Sequence, residues 1–329
     1  MSNILVTGGA GFIGSHLCEA LVGQGHTVTC VDNFSTGSLS GVEKINSLRV
    51  IEGNVNYWET FEKLEKEKFD VLFHYAATVG VRRTENGPDE VLADVRGIRH
   101  VARLAQEGKI GKIIYASSSE VYGEPRRIPE VEEDGVMGWS PYTTVKLYGE
   151  HMFRMLWLKH KISTVSLRFF NVYGPRQIGS TYGFVTAAFI RQILGGKRPT
   201  VFGDGKQTRD FVYIDDNVRI ALMAMERDEV NGQVLNVGTG KEIRICDWAR
   251  LIIEAAGKEK EIDLEYTRAR QVEISRRCAS TEKMEKLFGI SCGVLPREGI
   301  QKTMAWERMK IEQENVGKSK KSHLEPATI

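Results

Sequence analysis

Residues 6–17, VTGGAGFIGSHL, follow the apolar Ile4-Leu5-Val6 and place Gly8, Gly11 and Gly14 where a first strand would turn into a first helix. Glycine there permits a tight turn, close approach of backbone to a pyrophosphate, and close packing of helix on strand. The N-terminus of the helix, with Phe12 and Ile13 between the last two glycines, then faces the anion. The second apolar run, Thr27 to Asp32, ends in Val31-Asp32-Asn33, the right distance downstream for a carboxylate that accepts hydrogen bonds from an adenosine ribose. A carboxylate at that place repels a 2′-phosphate, so NAD is expected rather than NADP. Asn33, Asn54 after the third strand and Ala76 after the fourth complete the expected cofactor contacts, although a loop Asn such as Asn54 equally suits a plain turn.

Working outward, short β-branched or aromatic runs alternate with helical patterns: Ile4 to Thr7, Thr27 to Asp32, Arg49 to Gly53, Phe69 to Ala76, Lys112 to Ser118 and Thr164 to Phe170. Residues 12–24, 89–107 and 141–160 read as crossover helices. Apolar strands with helices between them predict an α/β fold, a Rossmann-type doubly wound parallel sheet covered on both faces. After Gly174-Pro175 the rhythm shortens, with a loop at FGDGKQTRD (202–210) and a strand-like VLNVGTG (234–240). We expect residues 1–172 to form the NAD-binding domain, with segments returning to it from about 210–245. Residues 173–312 are expected to form mainly a smaller α+β substrate-binding lobe, and the polar, basic 313–329 a flexible tail.

Composition narrows the function classes. A chain of 329 residues with 41% hydrophobic and 27% charged content has an ordinary globular balance, and a net charge of +2 offers no electrostatic reason to invoke nucleic acid. Five scattered cysteines without a C-x-x-C pair make neither a disulfide framework nor a zinc site, and a reducing cytoplasm is the expected location. The start Met1-Ser2-Asn3-Ile4-Leu5-Val6 meets glycines at once, so neither a signal peptide nor a membrane span is expected.

Chemistry is expected at two places. The fifth strand ends in ASSSEVYG (116–123), and SPYTTVKLYGE (140–150) puts Tyr142 and Lys146 four residues apart on one helix face. A free phenol ionises near pH 10, too high for a general base. A neighbouring ammonium favours the phenolate and makes Tyr142 usable as one.

The glycine turn, the acidic strand end, the Ser-rich strand end and Tyr-x-x-x-Lys, in that order, resemble the extended short-chain dehydrogenase/reductase superfamily across about residues 3 to 300. Within it the chain resembles the nucleotide-sugar epimerase and dehydratase group. The resemblance implies that Tyr142 takes a proton from a sugar hydroxyl, usually at C4, while hydride passes to tightly held NAD. Lys146 would tune the phenol and bind the nicotinamide ribose, and Ser118, flanked by Ser117 and Ser119, would orient the substrate. It implies further that Asn171 contacts a diphosphate, that Arg209 and Arg270 hold phosphate oxygens, and that Arg176 lies near the pocket rim. Glu273 stands where the group carries Asp, and Asp94 where it usually carries Asn, beside the site or facing solvent. Arg82 and Arg83 are offered to the sugar or a substrate carboxylate, and Tyr182 and Phe184 to pocket size. A homodimer through a four-helix seam of 89–107 and 141–160 is also implied.

The resemblance leaves the reaction open among three. The leading expectation is NAD-dependent 4-epimerisation of a UDP-sugar, because NVYGPRQ and TRDFVYIDD resemble the 4-epimerases. Decarboxylation of a UDP-hexuronate comes next, and 4,6-dehydration or another epimerisation after it; Ser118-Ser119-Glu120 lacks the Asp usual in 4,6-dehydratases. Both alternatives give Glu120 work near C5 that a plain 4-epimerase does not need, unless it is simply a strand-end acid paired with an Arg. A non-catalytic NAD-binding sensor is the alternative from another class, and it has no use for a tuned phenol.

Overall fold

The computed structural model describes residues 1–80, 87–178, 184–270 and 273–322, with side chains as far as 315. In chain order, β1 (Asn3–Thr7), α1 (Phe12–Gly23), β2 (Thr27–Asp32), β3 (Leu48–Glu52), a short α2 (Glu59–Glu62) and β4 (Phe69–His74) lead into α3 (Pro88–Gln106) and β5 (Ile110–Ser118). Next come α4 (Pro141–His160), β6 (Ser163–Phe169), β7 (Asn171–Tyr173), α5 (Val185–Leu194), β8 (Thr200–Phe202) and β9 (Thr208–Tyr213). The chain ends with α6 (Ile214–Glu226), β10 (Gln233–Val237), β11 (Glu242–Arg244), α7 (Ile245–Ala255), β12 (Glu265–Thr267), α8 (Glu282–Phe288) and α9 (Pro296–Ser322).

Seven strands form a parallel Rossmann-type sheet in the order β10-β6-β5-β4-β1-β2-β3. Its strands read as unbroken apolar runs because both faces are covered: Ile4, Val6, Cys30 and Phe73 enter one core, and Leu5, Val31, Leu72 and Ile113 the other. Strand order reverses between β1 and β4, which opens a crevice above their C-terminal ends. β5 runs beyond its neighbour: His74 is paired with Tyr115, so Ser118 lies three residues further along. Helices α3 and α4 pack side by side over the second core and leave Leu92, Met155 and Leu158 exposed.

α4 has a sharp beginning for a local reason. Ser140 and Thr143 form a reciprocal capping box, and Pro141 occupies the first turn, where its missing N–H costs nothing. Tyr142 is therefore held in the first turn, one turn before Lys146. The helix stops at Lys161, which takes a left-handed conformation at φ +56°.

The lobe contains a three-stranded sheet, β11-β9-β7, and a two-stranded one, β12-β8. Trp248 of α7 stacks on Phe211 of β9 at 3.9 Å between ring centroids and meets Tyr173 of β7 edge-on. Of the span expected to return to the NAD-binding domain, α6 packs against α1 and β10 joins the main sheet, while β9 and β11 pair in the lobe. Residues 313–322, read as the start of a flexible tail, continue α9 to Ser322, and 323–329 lie outside the described residues.

Candidate active site

The glycine turn is shaped by steric exclusion. Gly8 has φ +71°, and a Cβ there would lie 2.6 Å from the Ala76 amide nitrogen; on Gly14 it would lie 2.1 Å from the Gly8 carbonyl oxygen. Only hydrogen fits at either place. Among the described residues no side chain caps α1, so first-turn N–H groups are left for a ligand anion. Asp32 closes the far side, Oδ2 accepting from the Ala10 amide at 3.0 Å and Oδ1 from the Phe34 amide at 2.8 Å. Burial pushes its carboxyl above the usual value, with these backbone donors opposing.

Asn33 and Asn54 both line the cavity, yet their side chains accept from the Ser35 and Asn56 amides at 3.1 and 2.9 Å and so also shape turns. Phe12, Ile13 and Ala76 line it too. An uncapped helix end, two positions without room for a Cβ and a strand-end carboxylate fit the diphosphate and ribose of a dinucleotide. Gly14→Ala is expected to cost about 1–3 kcal/mol by overpacking and to abolish retention of the dinucleotide, checked by thermal melting and by the nucleotide released on denaturation.

One cavity of about 870 Å³ runs from this turn past β5 into the lobe. Ser118, Ser119, Glu120, Tyr142 and Lys146 line its middle. Ser118 Oγ accepts from the Glu120 amide at 3.2 Å, fixing the short turn that follows β5. Ser117 instead turns inward and donates to Glu150 Oε1 at 2.5 Å. Burial pushes the Tyr142 phenol up to about 12; the Ser118 hydroxyl opposes this, and Glu120 and Asp94 add to it. Lys146 Nζ donates to the Ala116 carbonyl at 2.7 Å and stands 5.5 Å from the centre of the Tyr142 ring. Burial lowers Lys146 to about 8.

Glu120 is half-exposed to the cavity, with Arg277 Nη2 3.8 Å from its Oε2. Arg277 is wholly buried beneath the serine turn, where Nη1 donates to the Ser119 carbonyl at 2.7 Å and to Glu130 Oε1 at 2.8 Å. Burial raises Glu130 to about 7, Arg277 opposing. Among the described residues Arg277 Nε and Nη2 have no hydrogen-bond partner.

At the lobe end Asn171, Arg209, Arg270 and Glu273 share the cavity wall. Glu273 pairs with Arg209 Nη2 at 2.8 Å, and Arg209 Nη1 donates to the Thr208 and Ile274 carbonyls, each at 2.8 Å. That holds the guanidinium rigidly. The Arg270 guanidinium lies 4.8 Å from the centre of the Phe202 ring. Arg176 reaches the wall as well, with Nη2 on Glu19 at 2.5 Å, and Phe184 lines it. Arg82, Arg83 and Tyr182 lie outside the described residues.

Sequence reasoning did not single out Trp139, Thr78, Asn56 or Arg277. Trp139, directly before the helix cap, lines the cavity and sits against Gly123, where a Cβ would be 2.2 Å from its Nε1. Its place in the chain beside Tyr142 was a usable signal. Arg277 carried none, being 158 residues from the serine whose carbonyl it holds.

Comparison with known proteins agrees with this geometry. Residues 4–238 match the model of the NAD-dependent epimerase/dehydratase family. A putative UDP-glucose 4-epimerase of Methanocaldococcus jannaschii is 33% identical over 305 residues, covering 92% of this chain and 97% of that protein. A UDP-N-acetyl-alpha-D-glucosaminuronate decarboxylase of Bacillus cytotoxicus is 34% identical over 317 residues, with the same coverage, 92% and 97%. The structure of a UDP-glucose 4-epimerase from Thermotoga maritima with UDP-glucose superposes with a TM-score of 0.89 at 30% identity, covering 94% of this chain and 99% of that one. Among the described residues no helix is long and apolar enough to cross a membrane.

Proposed function

The chain belongs to the NAD-dependent epimerase/dehydratase family, and on that premise we propose that it is a UDP-sugar 4-epimerase working by transient oxidation at C4. The observation that carries this reading is the convergence of Ser118, Tyr142 and Lys146 on the cavity that also holds the glycine turn. NAD, when bound, supplies a reversible hydride acceptor. The Gly8–Gly14 turn and the α1 N-terminus would take its diphosphate, and Asp32 the adenosine ribose. Ser118 orients the C4 hydroxyl, and Tyr142 takes its proton and later returns it. Lys146 supplies positive charge that stabilises the phenolate. Arg209 and Arg270 hold the sugar diphosphate in a charge-assisted clamp, with Asn171 as a further contact. A diphosphate anchored at the lobe leaves the keto-sugar free to turn over and accept hydride on its other face, which needs no second acid or base.

Purified protein is expected to interconvert UDP-glucose and UDP-galactose, or their N-acetyl or uronic analogues, without net NADH release. NMR that detects no 4-epimer from any of them removes the reading. Glu120 on the cavity wall beside Arg277, together with the decarboxylase relative, favours decarboxylation of a UDP-hexuronate as the second reading. The two separate on one variant: Glu120→Gln is expected to cost decarboxylation about 100-fold or more and 4-epimerisation only a few-fold, measured as carbon dioxide release against epimer formation.

A further inference from the structure

Lys146 is buried at 4% exposure, and among the described residues no carboxylate lies within ion-pair distance of it. It donates a hydrogen bond to the neutral Ala116 carbonyl, and the faces of Tyr115 and Tyr142 flank it. An ammonium taken out of water in this way needs a compensating charge nearby. The titratable groups around the pair come from four elements. α4 itself contributes Glu150, which is already occupied by Arg168 at 2.7 and 2.9 Å. β5 and the turn after it contribute Tyr115 and Glu120, the latter half-exposed and facing Arg277. β4 contributes His74, which burial holds at about 3 and therefore neutral.

The fourth element, α3, contributes Asp94. It is buried at 8% exposure on the wall of the same cavity as Lys146. Among the described residues its carboxylate meets only neutral donors: Thr78 N at 2.6 Å, Asn56 Nδ2 at 3.0 Å and Thr78 Oγ1 at 3.4 Å. Among the described residues no cation lies within ion-pair distance of it. Three donors and no acceptor match an anion, and Asn56, whose Oδ1 is held by the Gly97 amide at 3.2 Å, keeps it in place. Two opposite charges that line one cavity from helices packed side by side, each without an ion-pair partner among the described residues, interact through a low-dielectric interior.

We propose that Asp94 is a positioning residue that holds Lys146 as an ammonium and thereby sets the upper pH limit of the Tyr142–Lys146 pair. This rests on Tyr142 and Lys146 being the proton-handling pair. In support, Asp94 comes first, ahead of Glu150, among the groups that oppose the burial-driven fall of Lys146.

The test is a pH titration of NAD-loaded protein carrying 13Cε-lysine, with the Lys146 resonance assigned by its absence in Lys146→Met. Asp94→Asn is expected to lower the Lys146 midpoint by about one pH unit. Asp94→Ser, which keeps an acceptor for the Thr78 amide without the charge, is expected to do the same, so a folding defect in one variant leaves the other to decide. Asn56→Ala, which removes a hydrogen bond but not the charge, is expected to leave the midpoint in place. The proposal is overturned if neither Asp94 variant moves the midpoint, or if Asn56→Ala moves it as far. The spectroscopic midpoint needs no turnover, so it stands apart from failure of the epimerase reading. Where turnover is found, the alkaline limb of its pH profile is expected to fall by the same interval.

Discussion

Tyr142→Phe is expected to reduce turnover by about 10³-fold while leaving the fold and the bound dinucleotide intact. The substitution removes one oxygen from a ring that lines the cavity, and the capping box of Ser140 and Thr143 continues to start the helix. On the proposed mechanism only the proton acceptor is lost. Epimer formation followed by NMR, beside the nucleotide released on denaturation, separates the two effects; unchanged turnover would falsify the assignment of Tyr142 as the base. The same geometry sets the direction of the pH response. With the phenol near 12, the phenolate fraction grows as pH rises, so turnover increases on the acid side. Lys146 loses its proton through about 8, so the favourable charge beside the phenolate disappears above that pH and turnover declines.

Glu150→Ala is expected to cost about 3–5 kcal/mol of stability, because it leaves a buried guanidinium without its anion. The side chains of Arg168 and Glu150 are only 5% and 4% exposed and meet at 2.7 Å. Without Glu150, Arg168 keeps, among the described residues, the Glu132 carbonyl at 3.2 Å and the Tyr122 ring 4.7 Å away. Urea unfolding measures the loss. Replacing both partners, Glu150→Leu with Arg168→Met, is expected to recover most of it, since no unpaired charge then remains in the core. Turnover of Glu150→Ala is expected to fall as well: Ser117 loses its acceptor, and β5 carries Ser118 on the next residue.

Where structure follows from residues near one another in the chain, it was legible beforehand. The glycine turn, the strand-end Asp32, the serine turn and the Tyr142–Lys146 spacing each express a steric or periodic rule acting over a few residues. They led to the sheet, the cofactor class and the middle of the cavity. Less legible were residues 313–322, whose polar composition reads as tail and which continue α9, and the span of about 210–245, of which β10 joins the main sheet while β9 and β11 pair in the lobe. In both cases local pattern was silent about which neighbour the segment would meet.

The sequence by itself determined the parallel α/β sheet, the dinucleotide turn and the identity of the hydroxyl, phenol and amine brought to one place, because apolar period, glycine sterics and helical spacing are local properties. Only the tertiary structure decided what surrounds those groups. It placed Arg277 under the serine turn, closed Glu273 onto Arg209, and left Asp94 among neutral donors on the cavity wall. Those pairings join residues 16 to 158 positions apart. Their strength depends on burial, which lowers the dielectric around each charge only once the chain has folded around it.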